Sequence, residues 1–105
     1  MALLHPNKEE FENLLKEKEL LVVDFFATWS GPCKMLSPII EQLSEKYDEG
    51  VRVAKIDVDE NEELAVKYEI QAVPTIIFFK EGTEIGRVTG IVSLSNLQEL
   101  VEKHK

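Results

Sequence analysis

VVDFFATWSGPCKMLSP, residues 22–38, joins an apolar stretch to a helical stretch through a short turn. The stretch LLVVDFFA, residues 20–27, is rich in β-branched and aromatic side chains, which is typical of a strand buried on both faces. Because proline suits the first turn of a helix, we expect a helix to begin around Pro32. Ser30 and Cys33 lie three positions apart in this turn, and Cys33 is the only cysteine in the chain. The stretch therefore predicts a strand–turn–helix unit with one thiol at the start of the helix.

Capping signals predict three further helices. Asn7 with Glu10 three residues later forms a capping box ahead of a helical apolar pattern. Asp59 with Glu62 is expected to cap a short helix, because a carboxylate at an N-cap accepts a hydrogen bond from the free N–H groups of the first turn. Ser93 is expected to begin the last helix of the chain.

Strand patterns fill the intervals between these helices. Residues 51–58, VRVAKIDV, predict a second buried strand, and residues 75–90 predict a hairpin that turns at Glu81-Gly82. The order strand, helix, strand, helix, hairpin, helix favours a mixed α/β sheet covered by helices on both faces.

Length, composition and charge limit the possible classes of protein. A chain of 105 residues predicts a single domain, residues 1–105, and a net charge of −8 argues against a nucleic-acid or anionic-membrane surface. No apolar stretch is long enough to span a bilayer, and the start, MALLHPNKEE, lacks the basic and apolar pattern of a secretory signal. A single cysteine forms no internal disulfide, so a cytoplasmic location is the expectation.

Ser30 and Cys33 each have a structural interpretation and a chemical one. At an exposed helix start, Ser30 is expected to be an ordinary N-cap, whereas a cysteine there would ionise easily and act as a nucleophile. Cys33 is either a buried small apolar residue or a functional thiol one turn into the helix. The two histidines, His5 and His104, lie near the two ends of the chain, which argues against a serine hydrolase and against a transition-metal site.

Asp24 is a carboxylate in the middle of an apolar strand. If it is buried, its pKa is raised, which suits a proton acceptor near neutral pH; the alternative is a strand-end position that reaches water. Lys55 lies in the second predicted strand, either facing Asp24 across adjacent strands or exposed at a sheet edge. Pro74 precedes a strand, which is compatible with a plain turn or with a cis bond that presents backbone to a ligand.

Together these residues resemble the thioredoxin family over essentially the whole chain. The stretches that carry the resemblance are residues 22–38, VAKIDVDEN at 53–61, AVPTIIFFKEG at 72–82, and the late Gly90. The resemblance implies a five-stranded mixed sheet flanked by four helices, two on each face. It also implies a protein disulfide reductase without a cofactor, acting on disulfide-containing proteins and reduced by thioredoxin reductase, expected to be monomeric.

The resemblance also implies a role for individual residues. Ser30 stands at the position of the attacking cysteine, Cys33 at that of the resolving cysteine, Asp24 at that of the buried proton acceptor, and Lys55 at that of the residue modulating Asp24. The apolar surface that docks substrates and the reductase is implied to comprise Trp29, Gly31, Pro32, Val73, the cis-proline Pro74, Gly90 and Ile91.

Ser30 is the one departure from the family pattern. A serine hydroxyl is barely ionised near neutral pH, so this chain is not expected to complete a dithiol cycle. The economical interpretation is an engineered active-site replacement, because Asp24, Trp29 and Pro74 are all retained. The alternative is a natural redox-silent module that binds protein partners through the active-site rim. Cys33 is expected to be a slowly reacting thiol; if accessible, it would form an intermolecular disulfide.

Overall fold

Helices and strands alternate along the computed structural model, which describes residues 3–105. Met1 and Ala2 lie outside the described residues. They are the first two positions of the predicted domain and of the N-terminal segment that lacks a secretory pattern. The elements are α1 (Lys8–Leu15), β1 (Leu20–Phe26), α2 (Gly31–Glu45), β2 (Val51–Asp57), α3 (Glu62–Lys67), β3 (Thr75–Lys80), β4 (Thr83–Thr89) and α4 (Leu94–His104). None of the helices within residues 3–105 combines the length and apolar character needed to cross a membrane.

The sheet is mixed, as predicted, with the strand order β2-β1-β3-β4. β1 pairs with β2 in parallel and with β3 antiparallel, and β3 and β4 form the predicted antiparallel hairpin. Its turn lies at Glu81 and Gly82, both with positive φ, as a tight two-residue hairpin turn requires.

The expectation of five strands is wrong for residues 3–105, where four strands are present. The N-terminal segment reaches the free edge of β2 only through Leu4, which forms an isolated parallel bridge with Ala54. Leu4 accepts from Lys55 N and donates to Val53 O, each at 2.9 Å. In a parallel ladder the next residue to pair would be Pro6, which has no N–H to donate, so the pairing does not extend.

β1 is buried on both faces, and each face carries its own core. Leu20 and Val22 pack on the side covered by α2 and α4, whereas Leu21, Val23 and Phe25 pack on the side covered by α1 and α3. The four helices therefore cover the sheet two on each face, as expected. Because side chains alternate along a strand, Asp24 projects to the α2 side together with Leu20 and Val22.

Local capping signals were accurate at two of the three predicted helices. Asn7 and Glu10 form the reciprocal capping box at α1, with hydrogen bonds of 2.8 and 2.9 Å. Ser93 caps α4 by accepting a hydrogen bond from Asn96 N.

The predicted cap of the short helix is wrong. α3 begins at Glu62 with Asn61 at the N-cap position, and no side chain caps it. The Asp59 carboxylate instead accepts a hydrogen bond from the indole of Trp29. A contact between residues distant in sequence has thus replaced the local one.

Candidate active site

The N-terminus of α2 follows the short turn after β1. The helix begins at Gly31, with Ser30 as N-cap and Pro32 in the first turn, as predicted. The Ser30 hydroxyl oxygen accepts a hydrogen bond from Cys33 N at 3.3 Å, which satisfies one of the free donors of the helix start. The side chain of residue 30 therefore lies over the turn that carries Cys33.

The expectation that Ser30 lies at an exposed helix start is wrong, because the residue is only 5% exposed. Its backbone N–H bonds to Ala27 O at 3.3 Å, and its hydroxyl points back into the first turn of α2. The neighbouring Trp29 is 69% exposed and occupies the surface instead.

Cys33 is a buried free thiol in the first turn of α2, with 4% of its surface exposed. Its sulfur accepts a hydrogen bond from Ala27 N at 3.5 Å. The thiol is therefore held against the end of β1, on the inner side of the helix start.

We expect Cys33 to react slowly with a thiol reagent while the protein is folded. Burial keeps the reagent away from the sulfur, so labelling in buffer should be at least about tenfold slower than labelling in denaturant. The measurement is the rate of release of a chromophoric thiolate under both conditions. Equal rates would mean that the thiol is accessible in the folded protein.

Asp24 is a buried carboxyl group without a hydrogen-bond partner among the described residues. It is 1% exposed, and neither carboxyl oxygen has a protein donor or acceptor in range. Burial raises the pKa of Asp24 to about 7, and the positive charge of Lys55 limits the rise. Of the two interpretations of Asp24, the structure therefore favours the buried group over a strand end in water.

Lys55 is the direct cross-strand neighbour of Asp24, as one of the two sequence interpretations had it. Its ammonium group does not bond to the carboxylate. It donates to Ser37 Oγ at 2.9 Å and lies 4.4 Å from the centre of the Phe26 ring. Ser37 lies four residues after Cys33 on α2, a spacing that places both on one helix face. Ser37 was not among the predicted site residues, and its spacing from Cys33 is the sequence signal that points to it.

A loop connection brings Pro74 and Gly90 together. The Val73–Pro74 peptide bond is cis, and Gly90 N donates to Pro74 O at 2.9 Å. Gly90 has a φ of +94°, a conformation that favours glycine, and it leads into Ile91, which is 49% exposed. Pro74 itself is buried and Val73 half-buried, so they offer less side-chain surface than Ile91 does.

The exposed part of the rim near α2 consists of Trp29, Gly31 and Pro32. The Trp29 indole N–H donates to Asp59 Oδ2 at 2.9 Å, and Asp59 N in turn bonds to Asp57 Oδ1 at 2.8 Å. This anchoring of Trp29 was not foreseen from the sequence. It fixes a large exposed aromatic side chain next to the helix start.

Comparisons with known proteins give a consistent result. The family model described as Thioredoxin matches residues 2–103. A thioredoxin of Staphylococcus epidermidis is 41% identical over 104 residues, which cover 99% of each chain, and one of Staphylococcus aureus is 40% identical over the same length. Two crystal structures are also similar. The thioredoxin from Nicotiana alata has a TM-score of 0.89 and 36% identity, covering 98% of this chain and 92% of its own. The thioredoxin from Malassezia sympodialis has a TM-score of 0.88 and 35% identity, covering 99% and 90%.

Proposed function

This chain belongs to the thioredoxin family, and from that premise we propose that it is a thiol–disulfide oxidoreductase domain whose attacking cysteine is replaced by Ser30. The observation that carries the proposal is the contact between Ser30 Oγ and Cys33 N at the start of α2, the helix that covers the face of β1 to which the buried, unpartnered Asp24 projects. A second thiol at position 30 would lie over the turn that holds the first. With a serine there, the chain retains Cys33 and Asp24 but lacks the nucleophile that would attack the target disulfide.

The reaction requires two thiols in succession. With a cysteine at position 30, its thiolate would attack one sulfur of a target disulfide, form a mixed disulfide and release the target's other sulfur as a thiolate. The Cys33 thiol would then pass its proton to Asp24 and attack the sulfur of residue 30. This step forms an internal disulfide and releases the target fully reduced. Lys55 modulates how readily Asp24 takes up the proton.

The chain as it stands does not complete this cycle. The Ser30 hydroxyl remains protonated near neutral pH and forms no stable bond to sulfur, so no mixed disulfide forms at that position. We propose that Ser30 is a single engineered replacement, because Asp24, Trp29 and Pro74 are all in place around it.

The proposed docking surface lies around the helix start. An exposed, anchored Trp29 and an exposed Ile91 supply apolar contact area. The partners proposed for the parent dithiol form are disulfide-containing proteins and thioredoxin reductase. We propose that this form is a monomer located in the cytoplasm. The full set of proposed docking residues is Trp29, Gly31, Pro32, Val73, Pro74, Gly90 and Ile91.

The same surface supports a second candidate function. A redox-silent module would use the exposed Trp29 and Ile91 to hold a protein partner, with Ser30 serving only as the cap of α2. Binding of such a partner would be insensitive to oxidants and would survive Cys33→Ala. The retention of Asp24 argues for the first function, since a buried carboxyl contributes nothing to a surface contact.

Disulfide formation within a Ser30→Cys variant tests the proposal. Under mild oxidation we expect this variant to lose both thiols and two hydrogens per chain while remaining monomeric, as seen by intact mass and thiol counting. Ser30→Ala is the matched control and should keep its single thiol. A variant that keeps both thiols, or forms only disulfide-linked dimers, would contradict the geometry on which the proposal depends.

A further inference from the structure

Ser37 is the one polar side chain of α2 that contacts the Lys55 ammonium group. The contact joins residues 18 positions apart in the chain, at 2.9 Å, and both side chains are half-buried. The Phe26 ring beneath the ammonium, 4.4 Å from its centre, provides a second restraint. The position of the lysine is thus fixed from the helix side and from the sheet side.

The Lys55 ammonium could have a stronger partner close by. Asp24 is its register neighbour on β1, and both carboxyl oxygens of Asp24 are buried and free of hydrogen bonds within residues 3–105. A direct ion pair at this depth would stabilise the charged carboxylate strongly. The lysine instead extends to Ser37, and Asp24 senses its charge only through space.

We propose that Ser37 is a positioning residue that holds the Lys55 ammonium on α2 and thereby prevents it from forming a direct ion pair with Asp24. This inference rests on the proposed role of Asp24 as the proton acceptor of Cys33. A carboxylate locked in an ion pair would be a poor base, whereas a free, buried carboxylate accepts a proton readily. Ser37 thus keeps Asp24 available to the thiol of Cys33, which lies one helical turn before Ser37 on α2.

Other charged groups lie around the same lysine. The pocket next to its ammonium is lined by Asp57 of β2, Glu60 of the following loop, Glu10 of α1 and His5 of the N-terminal segment. On the remaining side of Asp24, β3 contributes the apolar Ile76. On α2, Cys33 lies four residues before Ser37 and is buried, whereas the charged residues Lys34 and Glu41, three before and four after Ser37, are exposed.

The titration of the Asp24 carboxyl, followed by carbon-detected NMR in the protein as it exists, tests the proposal. In Ser37→Ala the ammonium is released to the carboxylate, so we expect the Asp24 midpoint to fall by about one pH unit. Ser44→Ala is the matched control, because it removes a hydroxyl from the same helix where that hydroxyl bonds only to Glu41 O. It should leave the midpoint unchanged.

A second substitution tests whether Ser37 acts through the lysine. Lys55→Met should raise the Asp24 midpoint, and adding Ser37→Ala to it should produce no further change. An unchanged or higher midpoint in Ser37→Ala alone, or a shift that persists without the lysine, would overturn the proposal. In the Ser30→Cys background, Ser37→Ala should also move the pH profile of disulfide reduction to lower pH. If Ser30→Cys is inactive, the proposed function fails, while the Asp24 titration still decides the role of Ser37.

Discussion

Replacing Asp24 by asparagine is expected to stabilise the protein at alkaline pH and to have little effect at pH 4 and below. The pKa of this carboxyl is raised from 3.8 to about 7 by burial. Between these two values the folded chain holds a proton that the unfolded chain has lost, so stability falls as pH rises through this window. Above pH 7 the loss is complete, at roughly 4 kcal/mol for a pKa change of about three units.

The asparagine variant lacks this dependence, because its amide does not ionise. Urea unfolding at pH 4 and pH 9 measures the effect: the two proteins should differ by less than about 1 kcal/mol at pH 4, and the variant should be more stable at pH 9 by up to about 4 kcal/mol. Glu41→Gln makes the same change in charge at an exposed position of α2 and should leave the pH dependence as it is. A variant that is much less stable at both pH values would show that the carboxyl contributes structure that we have not identified.

Short-range patterns in the sequence predicted much of the fold. The buried β1, the capping box at Asn7, the N-cap at Ser93 and the hairpin turn at Glu81-Gly82 each depend on residues within a few positions of one another. The interactions that stabilise these features join residues close to one another in the chain, so a short stretch of sequence is enough to predict each feature. The family pattern added the arrangement of the elements around the sheet.

Contacts between distant residues account for what was not predicted. Asp59 bonds to an indole 30 positions away instead of capping α3, and Lys55 bonds to Ser37, 18 positions away. The N-terminal segment pairs with β2 only at Leu4, because the register of this bridge makes Pro6 the next residue to pair; the register depends on the tertiary fold and is not visible in the local sequence. These outcomes depend on which free donors and acceptors the tertiary fold brings together.

The burial of Ser30 is another feature that depends on the tertiary fold and was not predicted. A helix N-cap after a turn is commonly exposed, and no pattern around Ser30 indicates that this one is buried. The turn at Ala27–Ser30 closes on itself through the backbone bond between these residues, and it directs Trp29 outward and Ser30 inward. The candidate site was therefore predicted in composition but not in its degree of enclosure.

Ser30→Cys is expected to convert the chain into an active disulfide reductase. A thiol at this position would meet the free N–H groups and positive dipole end of α2, which favour its thiolate, and Cys33 would supply the second thiol. Loss of a nucleophile commonly costs an enzyme several orders of magnitude in rate, so we expect a gain of roughly a thousandfold or more over the chain as it stands.

Two matched variants identify the source of that gain. Ser30→Ala should be as inactive as the present chain, which would show that the serine hydroxyl contributes nothing. Ser30→Cys combined with Cys33→Ser should form a lasting mixed disulfide with the substrate without turning over, since the resolving thiol is absent. Rapid turnover by this double variant would remove Cys33 from its proposed role.

The most direct test of the proposed mechanism is the rate at which Ser30→Cys reduces a protein disulfide at pH 7 in the presence of a small dithiol, relative to the unchanged chain. We expect rapid, repeated turnover by the variant and no rate above the dithiol background for the chain as it stands. A folded Ser30→Cys variant without activity would contradict the proposed reductase and favour the binding module. Activity in the unchanged chain would contradict the assignment of Cys33 as a buried resolving thiol.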